Sequence, residues 1–113
     1  MENKPIINIR GIDCNPEVEE KFNAWYNETH IPMLLNFKGL RSAARYRRIG
    51  DDEQFPGYLA IYEFDDAKDF EEYNRSPELE AVREEMKVSW PTEPKGYESK
   101  WRVQYELIKS WGK

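Results

Sequence analysis

The fold of this chain is decided by residues 22–46, FNAWYNETHIPMLLNFKGLRSAARY. The first part of this segment places large apolar side chains at helical spacing, which predicts a helix with one buried stripe. Proline biases the residue before it away from helical backbone angles, so Pro32 predicts that the helix ends near Glu28 to His30. A glycine then closes an apolar connector, and a strand is predicted from Leu40.

The same local rules give the elements on either side of this segment. Asn15-Pro16 combines a helix cap with a proline at the first helical position, and Ser76-Pro77 predicts that a second helix kinks or restarts there. The predicted elements are a strand over Ile6–Ile12, a helix from Asn15, strands over Leu40–Ile49 and Tyr58–Phe64, a helix from Asp65 or Asp66, a loop over Val88–Tyr97 and a strand over Trp101–Ile108. This βαββαβ order predicts a ferredoxin-like fold of the α+β class, with two helices on one face of a four-stranded antiparallel sheet.

Length, charge and cysteine content limit the class of protein. A chain of 113 residues has the size of one domain, and we expect a single domain over residues 1–113. A net charge of −5 argues against nucleic-acid and anionic-membrane partners, because both attract cationic protein surfaces. There is one cysteine, the first residues lack a signal-peptide core, and no apolar run approaches the roughly 18 residues of a membrane span. We therefore expect a cytoplasmic protein.

Alternation along the strands divides the predicted sheet into two faces, provided that no strand contains a bulge. The face predicted to lie under the helices collects Ile7, Ile9, Ala44, Tyr46, Tyr58, Ala60, Tyr62, Phe64, Trp101, Val103, Tyr105 and Leu107. The other face collects Ile6, Asn8, Ile12, Ala43, Arg45, Arg47, Leu59, Ile61, Arg102, Gln104, Glu106 and Ile108. Its aliphatic side chains would form an exposed patch, and the sheet of a second copy would cover it.

Several short motifs carry a family resemblance: Trp25-Tyr26, His30-Ile31-Pro32, Leu34-Leu35, Gly39-Leu40 and Ala44-Arg45-Tyr46. With them the chain resembles the dimeric α/β-barrel superfamily, and within it the EthD-like small proteins. The resemblance implies a homodimer whose two sheets stack into a barrel, and a cleft between helices and sheet in each subunit. Relatives include cofactor-free monooxygenases, polyketide cyclases, lactone isomerases and haem-handling enzymes. We expect no cofactor here.

His30 is the first candidate for acid–base chemistry, because it is the only histidine and imidazole titrates near neutrality. The alternative is a helix-end histidine that interacts with terminal carbonyls. Tyr62 and Tyr46 are the candidate donors to a developing oxyanion. The predicted pocket walls are Trp25, Tyr26, Trp90, Trp101 and Tyr105, with a core filled by these rings as the alternative.

Other chemistry has weaker support in the sequence. Cys14 lies near a predicted helix N-terminus, where it is either a nucleophile or a small buried side chain. One histidine and one cysteine do not make an ordinary zinc or iron site, and no glycine-rich phosphate loop occurs. Two functions stay open. One is a cofactor-free monooxygenase, cyclase or isomerase acting on an aromatic or lactone-like molecule. The other is a non-catalytic, ligand-binding or stress-related homodimer.

Overall fold

Four antiparallel strands form the sheet in the computed structural model, which describes residues 4–113. Residues 1–3 lie outside the described residues. The predicted start of the domain falls there, as does part of the N-terminal stretch in which no signal-peptide core is expected. The strands are Ile6–Cys14 (β1), Leu40–Arg47 (β2), Tyr58–Phe64 (β3) and Tyr97–Glu106 (β4), in the spatial order β2-β3-β1-β4. This arrangement confirms the α+β, ferredoxin-like prediction.

The first helical segment is longer than predicted and changes its winding along its length. It begins with the 3-10 turn Pro16–Val18 and continues through the α-helix Glu19–Trp25 (α1), the π-helical turn Tyr26–His30 and the α-helix Ile31–Leu34 (α2). The prediction that it ends near Glu28 to His30 is wrong. A proline ring inside a regular α-helix would clash with the carbonyl four residues earlier, and the widened π turn directly before Pro32 admits the ring.

The second helical segment is divided as predicted. It consists of Ala67–Tyr73 (α3) and Pro77–Ser89 (α4). Asp66 caps α3 by accepting a hydrogen bond from the backbone of Asp69 at 2.8 Å, and Ser76 caps α4 by accepting one from Leu79 at 3.1 Å. The connection from α4 to β4 is shorter than predicted, because β4 begins at Tyr97 rather than Trp101. Among the helices of residues 4–113, none is both long and apolar enough to cross a membrane.

Two β-bulges interrupt the edge strands, and the bulge in β2 reverses the faces predicted for that strand. The register of β2 against β3 shifts between Leu40 and Ser42, and the register of β4 against β1 shifts beside Gly11, where Lys100 is the extra residue. Each extra residue turns the side chains beyond it to the other side. Tyr46 therefore lies on the open face. Trp101 and Tyr105 pair with Gly11 and Ile7 of β1, whose side of the sheet is also open, so the predicted place of all three rings under the helices is wrong.

The faces of the central strands are also settled by register. In β3, Tyr58, Ala60, Tyr62 and Phe64 are buried under the helices, as predicted. Ile6, Asn8, Arg10 and Ile12 of β1 pair with these four residues and share their face, so the prediction that Ile7 and Ile9 are covered is wrong. The reason is that both faces of β1 are rich in isoleucine, so apolar content does not distinguish them. The open face carries Ile7, Ile9, Ala44, Tyr46, Leu59, Ile61, Trp101, Val103 and Tyr105.

Candidate functional site

The π-helical turn places His30 inside the protein, between the first helical segment and the sheet. Its imidazole stacks on the indole of Trp25 with 4.5 Å between ring centroids and meets the ring of Tyr26 edge-on at 4.7 Å. Only 3% of His30 is exposed. The helical segment continues to Leu34, so His30 does not lie at a helix end, where the alternative interpretation of the sequence placed it.

The surroundings of His30 favour its neutral form. Burial, followed by the positive charges of Arg10 and Arg45, lowers the pKa of His30 from 6.5 to about 3. Among residues 4–113, nothing forms a hydrogen bond with its Nδ1 atom, which is buried. A buried polar atom without a partner costs stability, and such atoms are often found at functional sites. At neutral pH the imidazole is thus an uncharged group with unused hydrogen-bonding capacity.

A cavity of about 210 Å³ lies beside His30, between the helices and the sheet. Its polar lining is His30, Asn8, Arg10, Tyr62, Tyr73, Asn74, Arg83 and Arg102, and its apolar lining is Leu34, Leu79, Val82 and Met86. The polar groups come from both sheet and helices, while the apolar groups come from the helices alone. The cavity can therefore hold a molecule with one polar and one apolar side.

A pair of tyrosines can supply a hydrogen-bond donor to this cavity, provided that Tyr26 donates the bond between them. The hydroxyls of Tyr26 and Tyr62 lie 2.8 Å apart, and both residues are buried. Burial raises the pKa of both phenols, so both stay protonated at neutral pH. Tyr26 does not line the cavity. When its hydroxyl donates to Tyr62, the proton of Tyr62 is left to point elsewhere, and Tyr62 can donate to a molecule beside His30.

The structure brings together only some of the residues that the sequence suggested. Trp25 packs behind His30, where its Nε1 donates to Glu85 at 2.9 Å, and it supports the imidazole rather than lining the cavity. Trp90 is 5% exposed and packs edge-on against Trp25 with ring centroids 5.6 Å apart, so it fills the core instead of flanking this cavity.

The remaining suggested residues lie elsewhere. Tyr46, Trp101 and Tyr105 lie on the opposite side of the sheet, each more than 40% exposed, and they do not reach the cavity of the same chain.

Three lining residues on the sheet escaped the sequence analysis. Asn8 and Arg10 lie on β1, and Arg102 lies beside Arg10 on β4. Asn8 is buried and accepts a hydrogen bond from Gln104 at 2.9 Å. The available signal was the polar residues at alternate positions of an isoleucine-rich strand. It was missed because the other face of that strand was assigned to the helices.

Other chemistry finds less support in the geometry. Burial, followed by the charge of Glu19, raises the pKa of the Cys14 thiol to about 11, which does not favour a nucleophilic thiolate. Within residues 4–113, histidine, cysteine, aspartate and glutamate form no group of three or more that could hold a metal ion.

Comparison with known proteins gives the family of the chain. A family model described as "Domain of unknown function (DUF4286)" matches residues 6–103, so the chain belongs to this family. A search of curated protein sequences finds no significant match. The family assignment therefore brings no activity with it.

Solved structures confirm the resemblance to the dimeric α/β-barrel superfamily and to EthD-like proteins. HapK from Hahella chejuensis is similar with a TM-score of 0.71 and 10% identity, over 96% of this chain and 97% of HapK. An EthD family protein from Bacillus halodurans is similar with a TM-score of 0.65 and 18% identity, over 93% of this chain and 99% of the EthD family protein. SnoaB, a cofactor-independent oxygenase from Streptomyces nogalater, is similar with a TM-score of 0.63 and 12% identity, over the whole of both chains. At these identities the likeness shows the fold alone.

Proposed function

We propose that this DUF4286 protein is a cofactor-free enzyme that acts on an aromatic or lactone-like small molecule in the cavity beside His30. The observation that carries the proposal is a buried, neutral imidazole beside a cavity that a protonated tyrosine also lines. Buried titratable groups with perturbed pKa values in a cleft are typical of active sites. The description of SnoaB as a cofactor-independent oxygenase adds support through the shared fold.

The first chemical step is the removal of a proton from the substrate by His30. The substrate gives up a proton next to a carbonyl or from a phenol, the imidazole takes it, and the electron pair moves onto the substrate oxygen. Tyr62 stabilises the resulting oxyanion by donating a hydrogen bond. Oxygenation with molecular oxygen as the oxidant, cyclisation and isomerisation can all start from such an enolate or phenolate, so the proposal covers these three reaction types. General base catalysis contributes about 10²- to 10⁴-fold in rate, and most when the pKa of the base lies near the operating pH, so the proposal requires substrate binding to raise the pKa of His30 from about 3.

The test is a substrate screen with variants matched in shape. His30→Phe keeps a ring stacked on Trp25 but removes the base, and Tyr62→Phe removes one hydroxyl. We expect each to lower kcat by about 10²-fold or more on any substrate found. Tyr46→Phe makes the same change on the other side of the sheet and should leave kcat unchanged.

Two outcomes would count against the proposal. Turnover that survives His30→Phe would exclude His30 as the base. Binding of panel compounds in the cavity without any turnover would favour the non-catalytic, ligand-binding alternative instead.

We also propose that the protein is a homodimer that associates through the open face of the sheet. This face presents Ile7, Ile9, Leu59, Ile61 and Val103 together with three exposed rings, those of Tyr46, Trp101 and Tyr105. Contiguous apolar surface of this kind marks an interface. Its occupant is a second copy, because stacked sheets are the arrangement that gives the superfamily its name.

Sedimentation velocity tests this assembly. Ile61→Glu places a charge at the centre of the open face and should convert the dimer to a monomer. Val88→Glu introduces the same charge at a helical position that is 79% exposed and should leave the dimer intact. A wild-type protein that sediments as a monomer, or an Ile61→Glu variant that stays dimeric, would refute the proposed interface.

A further inference from the structure

The sheet side of the cavity holds two arginines directly opposite each other. Arg10 of β1 and Arg102 of β4 are cross-strand partners, and both line the cavity. Like charges at directly opposed strand positions are destabilising. A guanidinium keeps its charge at every physiological pH, so this repulsion is permanent in the empty protein.

Nothing in the described part of the chain offsets this charge inside the cavity. Across residues 4–113, neither Arg10 nor Arg102 takes part in a salt bridge or a side-chain hydrogen bond, and Nε of Arg10 is buried without a partner. No aspartate or glutamate is among the described lining residues. Tyr73 stays neutral there as well, because burial raises its pKa to about 12. The cavity is thus cationic in a chain whose net charge is −5.

The third lining arginine, Arg83, is paired with a carboxylate. Arg83 belongs to α4, its side chain is 56% exposed, and it lies 3.7 Å from a carboxylate oxygen of Glu80. It is therefore partly neutralised, whereas Arg102, which is also exposed, has no carboxylate partner among residues 4–113. The unbalanced charge of the cavity is concentrated on the sheet side, in the Arg10–Arg102 pair.

We propose that the cavity binds a small organic carboxylate, whose charged group is held by Arg10 and Arg102 while its carbon skeleton lies against the helices. Guanidinium groups bind carboxylates through paired, charge-assisted hydrogen bonds. The apolar wall formed by Leu34, Leu79, Val82 and Met86 favours an organic anion over an inorganic one. The volume of about 210 Å³ lies below the usual range for drug-sized ligands and fits a single-ring molecule.

This inference deepens the proposed function, on which its catalytic meaning rests. A bound carboxylate would offset the charge of Arg10, one of the groups that disfavours the protonated form of His30. The imidazole would then become a stronger base when the substrate is present than when the cavity is empty. Ligand entry and base activation are thereby coupled through one arginine.

Binding of benzoate tests the inference without any need for turnover. Benzamide has the same shape and no charge, and inorganic phosphate has charge and no apolar part. Since hydrogen bonds to charged groups are stronger than those between neutral groups, we expect benzoate to bind about tenfold or more tightly than benzamide. Inorganic phosphate should bind more weakly than benzoate. Rising ionic strength should weaken the binding of benzoate.

Two variants locate the effect on the arginine pair. Arg102→Gln should weaken benzoate about tenfold or more, whereas Arg41→Gln, the same change at an exposed and ion-paired position on β2, should keep the wild-type affinity. Thermal melting shows whether Arg102→Gln is folded, and we expect it to melt no lower than wild type because the repulsion is relieved. If Arg102→Gln does not fold, Arg10→Gln is measured in its place.

Three results would overturn the inference. Benzamide could bind as tightly as benzoate, or inorganic phosphate could bind as tightly as benzoate. A folded Arg102→Gln or Arg10→Gln variant could bind benzoate with undiminished affinity. None of these results bears on turnover of neutral lactones, so the proposed function can fail or hold independently.

Discussion

The burial of His30 predicts an unusual loss of stability in mild acid. The folded protein holds the imidazole pKa at about 3, while the unfolded chain has the ordinary value of 6.5. Between these values the unfolded state binds a proton that the folded state does not bind. The stabilising contribution of the neutral imidazole is therefore complete above about pH 6.5 and is lost as the pH falls towards 3.

The magnitude follows from the two pKa values. Relative to about pH 7, the linkage relation gives a loss of about 2 kcal/mol at pH 5 and about 3 kcal/mol at pH 4. Such a loss is a large share of the roughly 5–15 kcal/mol that stabilises a typical domain. Since His30 is almost fully buried, solvent screening does not reduce this contribution by much.

Urea unfolding of wild type and His30→Phe over this pH range measures the effect. The many carboxylates of the chain also titrate here, but they are common to both proteins, so the difference between the two curves isolates His30. Phenylalanine keeps the stack on Trp25 and does not titrate. We expect the wild-type free energy of unfolding to fall about 2 kcal/mol further than that of the variant by pH 5. Parallel curves would contradict a lowered pKa, because they would mean that His30 protonates equally in the folded and unfolded states.

Two further predictions concern the fold. A Cβ at Gly96 would lie 2.7 Å from a methyl carbon of Val18 and would need a φ of +91°, whereas Gly50 has a φ of +89° and open space around it. Gly96→Ala should therefore lower the free energy of unfolding by about 1–2 kcal/mol more than Gly50→Ala, and equal losses would mean that the contact with Val18 costs nothing. Ser76→Ala removes the cap that accepts a hydrogen bond from the backbone of Leu79 and should cost about 1 kcal/mol in urea unfolding, a value near zero being the contrary result.

Local rules in the sequence predicted the order and ends of several elements. β3 occupies the predicted residues, and α4 begins at the predicted Ser76-Pro77 cap. Both features depend on a few neighbouring residues, either the alternation of one strand or the hydrogen bond of one cap. The π turn before Pro32 was not predictable in this way, because proline normally ends a helix and no local pattern marks the wider turn.

The faces of the sheet could not be read from the sequence, because they depend on bulges and because both faces of β1 are rich in isoleucine. One extra residue at Arg41 and another at Lys100 reverse the side-chain alternation, and neither residue type marks a bulge. The same limit applies to the site. His30 could be selected as the only imidazole, but the Arg10–Arg102 pair exists only through the register of two strands that lie about 90 residues apart in the chain.

The proposed place of His30 in an active site is tested by an NMR titration of its imidazole, with and without a panel of aromatic, lactone and carboxylate ligands. As the only histidine in the chain, it gives signals that need no assignment variants once any affinity tag is removed. A buried residue in a working cavity should stay neutral down to about pH 4 in the free protein, and its signals should move when a ligand binds. An ordinary pKa near 6.5 that no ligand changes would contradict the assignment of His30 to an active site.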